Sequence, residues 1–333
     1  MSRRLATLLT LLAPLAVAAG AWLTFVREEP VQGSTPLPIA AQSAPTADAG
    51  PEPTAPEPAE PEPVGPVPED AAERAAGLGV SLAGVDAFHV PLKRPPRAGL
   101  VFDVGTGEVL WRHNPQRRLP IASLTKIMTA LLVVDGGRPN EPVRITQAAL
   151  DYSGSGVGLL PKGRRVRLEA LLNGLLIVSG NDAAIALAVH LAGSERAFVR
   201  RMNSRARELG LRCTRFASSH GLEAGNRSCA RDLAVLTRMA MRRARIRRIA
   251  RTEYAELRFP IKGGKLYLSG HNPLMRLDYP GAIGLKTGYT NEAGRCFVGV
   301  ARRGGHTLGV VLLNSRDPSK QAPKLLDAGF AAG

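Results

Sequence analysis

Cysteine and aromatic residues are scarce in this chain, and each scarcity removes a class of function. There are three cysteines in 333 residues, and no CxxC or clustered Cys/His spacing of the kind that holds a metal. The reading therefore carries no metal and no cofactor. Aromatic residues make up 5% of the chain, without the aromatic-rich signatures of nucleic-acid modules, so nucleic acid is not expected as a partner. Acidic residues are outnumbered, 28 against 44 lysines and arginines, for a formal charge of +16. No internal repeat is found. In an oxidising compartment, an odd number of cysteines allows one bridge and one leftover thiol. Cys213 and Cys229 flank a short stretch containing Gly, Asn and Ser and are the first choice for the pair.

Residues 1–26 begin with Arg3 and Arg4 and then run uncharged from Leu5 to Val26. That is long enough to cross a hydrocarbon layer of about 30 Å. A basic start followed by an apolar run marks an export signal or signal anchor. Ala19-Gly20-Ala21 resembles a cleavage site, but Trp22, Leu23, Phe25 and Val26 prolong the apolar run beyond it, which favours an uncleaved anchor. In either case the remainder is expected outside the cytoplasm, at the membrane or released. Residues 27–75 are rich in Pro, Ala and Glu, with almost no large apolar side chain. Such a segment buries too little surface to offset its ordering entropy and reads as a disordered tether. If extended, its forty-odd residues reach on the order of 100 Å.

The body, residues 76–333, is more basic than the total suggests. Residues 27 to 74 hold ten acids against Arg27 and Arg74, which leaves about +22 on the body itself. Arg238, Arg242, Arg243, Arg245, Arg247, Arg248 and Arg251 concentrate part of it, as a solvated helix or as a surface for anionic surroundings.

"AGLVFDVGTGEVLWRHN" reads as two strands around Gly105-Thr106-Gly107. Helical spacing appears next over Ile121 to Val134. It resumes in "RLEALLNGLLIVSGNDAAIALAVHLAG", with a break at Ser179-Gly180-Asn181, and continues over Ser194–Leu209 and Arg231–Met241. "RCFVGVARRGGHTLGVVLLN" is a hairpin turned by Gly304-Gly305, and Lys320–Ala328 forms a last helix. Strands at both ends with helices between them predict an α+β fold: an antiparallel sheet packed with helices, plus an inserted mainly helical region.

Three short motifs carry chemistry. In "IASLTKIMTA", Ser123 and Lys126 share a helix face at the first turn, where the serine N–H is unpaired. Lys126 is a base only if neutral, which requires burial and a second cation nearby. "GLKTGYT" supplies Lys286, Thr287 and Gly288. The lysine and hydroxyl suit a carboxylate, and the glycine would admit a substrate backbone at a strand edge. "VSGND" adds Ser179 and Asn181 at a break between helices. Each alone has an ordinary reading as cap, strand glycine or turn; all three in this order are specific.

The order Ser-x-x-Lys, Ser-x-Asn, Lys-Thr-Gly resembles that of penicillin-binding proteins and class A β-lactamases. Within that group the chain most resembles the low-molecular-weight D-alanyl-D-alanine carboxypeptidases over about residues 80 to 330. "SGNDAAIALAVHLAG", "SSHGLE", "CARDLAVLTRMA" and "PGAIGLKTGYT" stand in family order. The resemblance implies a β-lactamase/DD-peptidase-like fold with a five-stranded antiparallel sheet. It implies Ser123 as nucleophile, Lys126 as its base and Ser179 as proton relay to the leaving amine. Asn181 would hold the substrate amide, and Lys286 would keep Lys126 neutral and help Thr287 bind the terminal carboxylate. The N–H groups of Ser123 and Tyr289 would form the oxyanion hole. The implied substrate is a peptidoglycan stem peptide ending in D-Ala-D-Ala, with β-lactams as covalent inhibitors. His220 would belong to a structural turn and Asp182 would brace a loop. Arg316 is left out, because its local pattern departs from the family's. The rivals are a class A-like β-lactamase, for which Glu169 lies too near the Ser-Gly-Asn loop, and a non-catalytic wall-binding module of the same fold.

Overall fold

The computed structural model describes residues 77–332. The expected signal or anchor segment and the Pro-rich tether lie outside the described residues. Among the described residues, no helix is long and apolar enough to cross a membrane.

In chain order, β1 (Ala98–Asp103) and β2 (Val109–His113) form the expected hairpin. Asp103 Oδ1 closes its turn by accepting from the Thr106 N–H at 2.8 Å. Next come β3 (Leu119–Pro120), a 3-10 turn (Ala122–Thr125), α1 (Lys126–Gly136), β4 (Pro142–Arg144), α2 (Gln147–Leu150) and β5 (Arg165–Arg167). The helical region continues with α3 (Leu168–Ile177), α4 (Asn181–Ala192) and α5 (Glu195–Glu208). After it come β6 (Arg227–Ser228), α6 (Ala230–Arg242), α7 (Ala244–Ala250), the hairpin β7 (Tyr254–Arg258) and β8 (Lys265–Ser269), and α8 (Pro273–Arg276). β9 (Ala282–Thr290), β10 (Gly294–Arg303), β11 (His306–Ser315) and α9 (Pro318–Ala332) complete the order.

The main sheet has five strands in the order β2-β1-β11-β10-β9, all antiparallel, which bears out the expected α+β class. Its central strands are apolar on both faces because both faces are covered. Val101, Phe297, Val310 and Leu312 pack with Leu325 and Leu326 of α9. Leu100, Phe102, Val298, Val300 and Val311 pack on the other side with Leu233 and Leu236 of α6. β9 is an edge strand, so the backbone groups of its outer side are available to another chain.

The break expected at Ser179 is real. α3 ends at Ile177, Ser179 takes a left-handed φ of 62°, and α4 begins two residues later. α5 starts where Ser194 Oγ accepts from the Ala197 N–H at 3.1 Å. The β7–β8 hairpin was not anticipated, although "YAELR" and "KLYLS" alternate around Gly263-Gly264.

The arginine run is not a uniformly solvated helix face. Arg238 is buried and donates to the carbonyls of Val104 (3.0 Å), Gly105 (2.7 Å) and Gly79, tying α6 to the β1–β2 turn. Arg243 pairs with Asp135 at 2.6 Å and Arg245 with Glu169 at 2.8 Å, while Arg248 also reaches Glu169. Helix propensity cannot reveal which arginines meet a partner from another element.

Cys213 and Cys229 are bonded as expected, and Cys296 is free and buried. The bridge spans a sequence separation of 16. Closing a loop of that length stabilises a fold by about 3 kcal/mol through the unfolded state. The double variant C213A/C229A is therefore expected to lose about that much in urea unfolding at neutral pH. Equal stability of the two proteins would refute a structural role for the bridge.

Candidate active site

The site begins with a strained turn. β3 pairs with β6, after which Ala122 takes a left-handed φ of 47° and presents Ser123 in the 3-10 turn just before α1. Two glycines make room for it. Gly221 has φ 99°, and a Cβ there would lie 2.1 Å from Ala122 O. A Cβ at Gly288 would lie 3.0 Å from Ser123 N and 3.1 Å from Ile121 O. The missing side chain of Gly288 lets β9 approach the backbone of Ser123 itself, a use the sequence reading did not name.

Lys126, fully buried at the head of α1, directs its amine at three oxygens. Nζ lies 3.0 Å from Ser123 Oγ, 2.7 Å from Asn181 Oδ1 and 2.7 Å from the His220 carbonyl. Burial, and then the charge of Lys286, hold its pKa well below the ordinary lysine value. Lys286, on β9, is itself 2% exposed and donates to Thr287 O at 2.8 Å. Burial pushes its pKa down to about 7. Among the described residues, neither lysine has a carboxylate within ion-pair distance. Burial is thus the main cause of the lowered Lys126 value, with the Lys286 charge adding to it wherever Lys286 is protonated.

The third wall comes from the α3–α4 break. Ser179 lines the cavity, and its left-handed backbone is the kind of strain found where a side chain must be aimed. Asn181 is 1% exposed and committed on both sides, accepting from Lys126 and donating to Ser153 O at 2.6 Å. It orients the lysine. Asp182 braces a loop as expected, accepting from the N–H groups of Val157 and Gly158, each at 2.9 Å.

His220 lies in a tight turn, as expected, but its carbonyl reaches the site, which the sequence did not suggest. Glu195 accepts from the Ser219 N–H at 2.9 Å, and Thr129 Oγ1 donates to Ser219 O at 2.6 Å, so the turn is held from two helices. The His220 ring lies 3.6 Å from both Glu195 and Glu223, and burial lowers its pKa.

Ser123, Ser179, Thr287, Gly288 and Tyr289 line a cavity of about 590 Å³. Lys286 lies beneath the lining, while Thr287 and two arginines belong to it. Arg295 and Arg316 both line the cavity, and Arg295 donates to Arg316 O at 2.7 Å. Arg316, left out of the site in the sequence reading, is returned to the Ser123 side by the β11–α9 connection. Ser155 and His271 also line the cavity. Both come from loops without a motif, so nothing in the sequence pointed to them.

Comparison with known proteins agrees with this geometry. Residues 92–317 match the family model described as D-alanyl-D-alanine carboxypeptidase. The chain belongs to the D-alanyl-D-alanine carboxypeptidase family. It is 35% identical over 249 residues to the D-alanyl-D-alanine carboxypeptidase DacF of Bacillus subtilis, covering 72% of this chain and 63% of that one. The chain thus spans less than two thirds of that relative's length. A crystal structure of a D-alanyl-D-alanine carboxypeptidase from Mycobacterium tuberculosis superimposes with a TM-score of 0.69 at 35% identity, covering 74% of this chain and 96% of that one. A variant of the Streptomyces K15 DD-transpeptidase gives 0.68 at 32% identity, covering 72% and 100%. This family consists of serine-type DD-peptidases, and the α+β architecture is shared with both structures.

The buried lysine pair makes stability depend on pH. Unfolded, Lys286 keeps its proton up to about its ordinary value of 10.5; folded, it releases it near 7. Between those values the unfolded state binds more protons, so stability rises with pH, and is lost as pH falls toward 7. Relative to K286M, the parent protein should gain up to about 1.4 kcal/mol per pH unit in urea unfolding between pH 7.5 and 9.5. Parallel profiles for the two proteins would show that Lys286 is not buried in this way.

Proposed function

We propose that the protein is a serine D-Ala-D-Ala carboxypeptidase that removes the terminal D-alanine from peptidoglycan stem peptides through an acyl-enzyme on Ser123. The observation that carries this reading is the set of three oxygens around Lys126 Nζ. A neutral amine has two N–H donors and one lone pair. Asn181 Oδ1 and the His220 carbonyl are acceptors only, so they take both N–H groups. The lone pair is left facing the Ser123 hydroxyl at 3.0 Å. Burial and the Lys286 charge favour the neutral form that this requires.

Ser123 Oγ attacks the carbonyl between the two D-alanines while its proton passes to Lys126. The N–H groups of Ser123 and Tyr289 receive the oxyanion, and one such donor is worth about 3 kcal/mol. Ser179 relays a proton to the leaving amine as the C–N bond breaks. Thr287, with Arg295 and Arg316, meets the terminal carboxylate at the cavity wall. Water then releases the acyl group and restores Ser123. β-Lactams would acylate the same hydroxyl.

The assembled Ser123–Lys126 contact favours catalysis over a module that only binds wall. A β-lactamase would need a carboxylate to activate the deacylating water; Glu169 is instead paired with Arg245 and Arg248. Work outside the cytoplasm, with residues 1–26 as membrane anchor or export signal, is part of the same proposal. It is supported by the basic, then apolar start of the sequence and by the Cys213–Cys229 bridge.

Incubation of the full chain with a pentapeptide ending in D-Ala-D-Ala should release free D-alanine, and S123A should release none. K126R should lose activity by about 10²–10⁴-fold, because a guanidinium cannot act as a base near neutral pH. Near-normal activity in K126R would remove Lys126 from its role. A labelled penicillin should stay on Ser123 for minutes, whereas rapid turnover would favour the β-lactamase reading.

A further inference from the structure

A second pocket, of about 500 Å³, is lined by Arg238, Arg242, Arg247, Arg251, Arg302 and Thr307, and among the described residues no acidic side chain lines it. Arg302 lies on β10, six residues beyond Cys296, which lines the Ser123 cavity. At about 3.3 Å per residue, that places the two sites about 20 Å apart along the strand.

The arginines between 238 and 251 divide into two groups, the second joined by Arg302 of β10. Arg243, Arg245 and Arg248 face Asp135 and Glu169 and are neutralised by them. The five in the pocket have no such partner: among the described residues, no carboxylate lies within ion-pair distance of any of them. Arg247 donates to Met241 O at 2.5 Å, and Arg242 reaches Gly77 O at 3.5 Å. These carbonyls satisfy donors without cancelling charge.

Arg238 is the decisive member. It is 2% exposed, and its guanidinium is held by the Gly79, Val104 and Gly105 carbonyls. Asp103, the carboxylate acting on it, is engaged by the Thr106 N–H and hydroxyl. Burial of an unneutralised guanidinium is costly, and crowding four more around it adds repulsion. A bound anion removes both penalties. Guanidinium forks match the paired oxygens of a phosphate group.

We propose that this pocket is a binding site for a phosphate-bearing anion, with Arg238 as the fixed charge at its floor and exposed Arg251 and Arg302 as its outer clamps. The site is separate from the Ser123 cavity and does not depend on the activity proposed for it. The anion is either a free polyphosphate or a phosphodiester headgroup. Both offer the same oxygens to the arginines.

Isothermal titration of the full chain in neutral detergent at 0.15 M salt tests this with two probes, inorganic pyrophosphate and glycerophosphoglycerol. Saturable binding is expected, at least tenfold weaker in R251A/R302A and unchanged in K262A/K320A, which removes equal charge from exposed positions elsewhere. Tighter binding of pyrophosphate identifies a free polyphosphate as the source; tighter binding of glycerophosphoglycerol identifies a headgroup. Absence of saturable binding by both probes overturns the proposal. So does undiminished binding in R251A/R302A, or an equal loss in the control, which would show diffuse charge attraction only.

Discussion

Two lysine ammonium groups buried side by side cannot both keep their charge, and the Ser123 cavity is organised around that conflict. Lys126 and Lys286 lie in the interior with no carboxylate paired to either, so burial and mutual repulsion act in the same direction. For Lys126, burial acts first and the Lys286 charge second. An amine driven to neutrality in water would be of little use. Here its two N–H groups are taken by Asn181 and the His220 carbonyl, so the lone pair has one direction left.

Much of the surrounding fold holds those acceptors in place. Asn181 opens α4 two residues after the left-handed Ser179, and the helix break puts Ser179 at the cavity and Asn181 against Lys126. The turn at His220 is tied to α5 through Glu195 and to α1 through Thr129. Gly221 and Gly288 let that turn and the edge strand β9 close on Ala122 and Ser123 from two sides. Side chains at either glycine would push apart the elements that deliver Lys126 and Lys286 to each other.

Charge is partitioned across the molecule in an uneven way. Some arginines of α6 and α7 pair with Glu169 and Asp135 and fasten helices together. Others converge on a pocket with no acid at the far end of β10. The body's excess of positive charge is therefore neither a uniform solvated face nor spread evenly over the surface. It divides between structural fastening and an unneutralised cluster, and the division tracks which neighbour each helix face meets.

The motifs containing Ser123, Lys126, Ser179, Asn181 and Lys286 were legible in the sequence, because three short motifs, each ordinary alone, occur together in one order. The strand pattern at both ends was legible too, since alternating apolar residues and Gly304-Gly305 specify a hairpin locally. Long-range approach was not. The His220 carbonyl is a backbone atom with no sequence signature. Arg316 reaches the cavity only because β11 and α9 turn it back, and Gly288 proved to accommodate the backbone of Ser123. By itself the sequence determined the chemical groups, their order and the local elements that carry them. Only the tertiary structure decided which of them share a cavity and which titrate, because burial and charge proximity depend on neighbours distant in the chain.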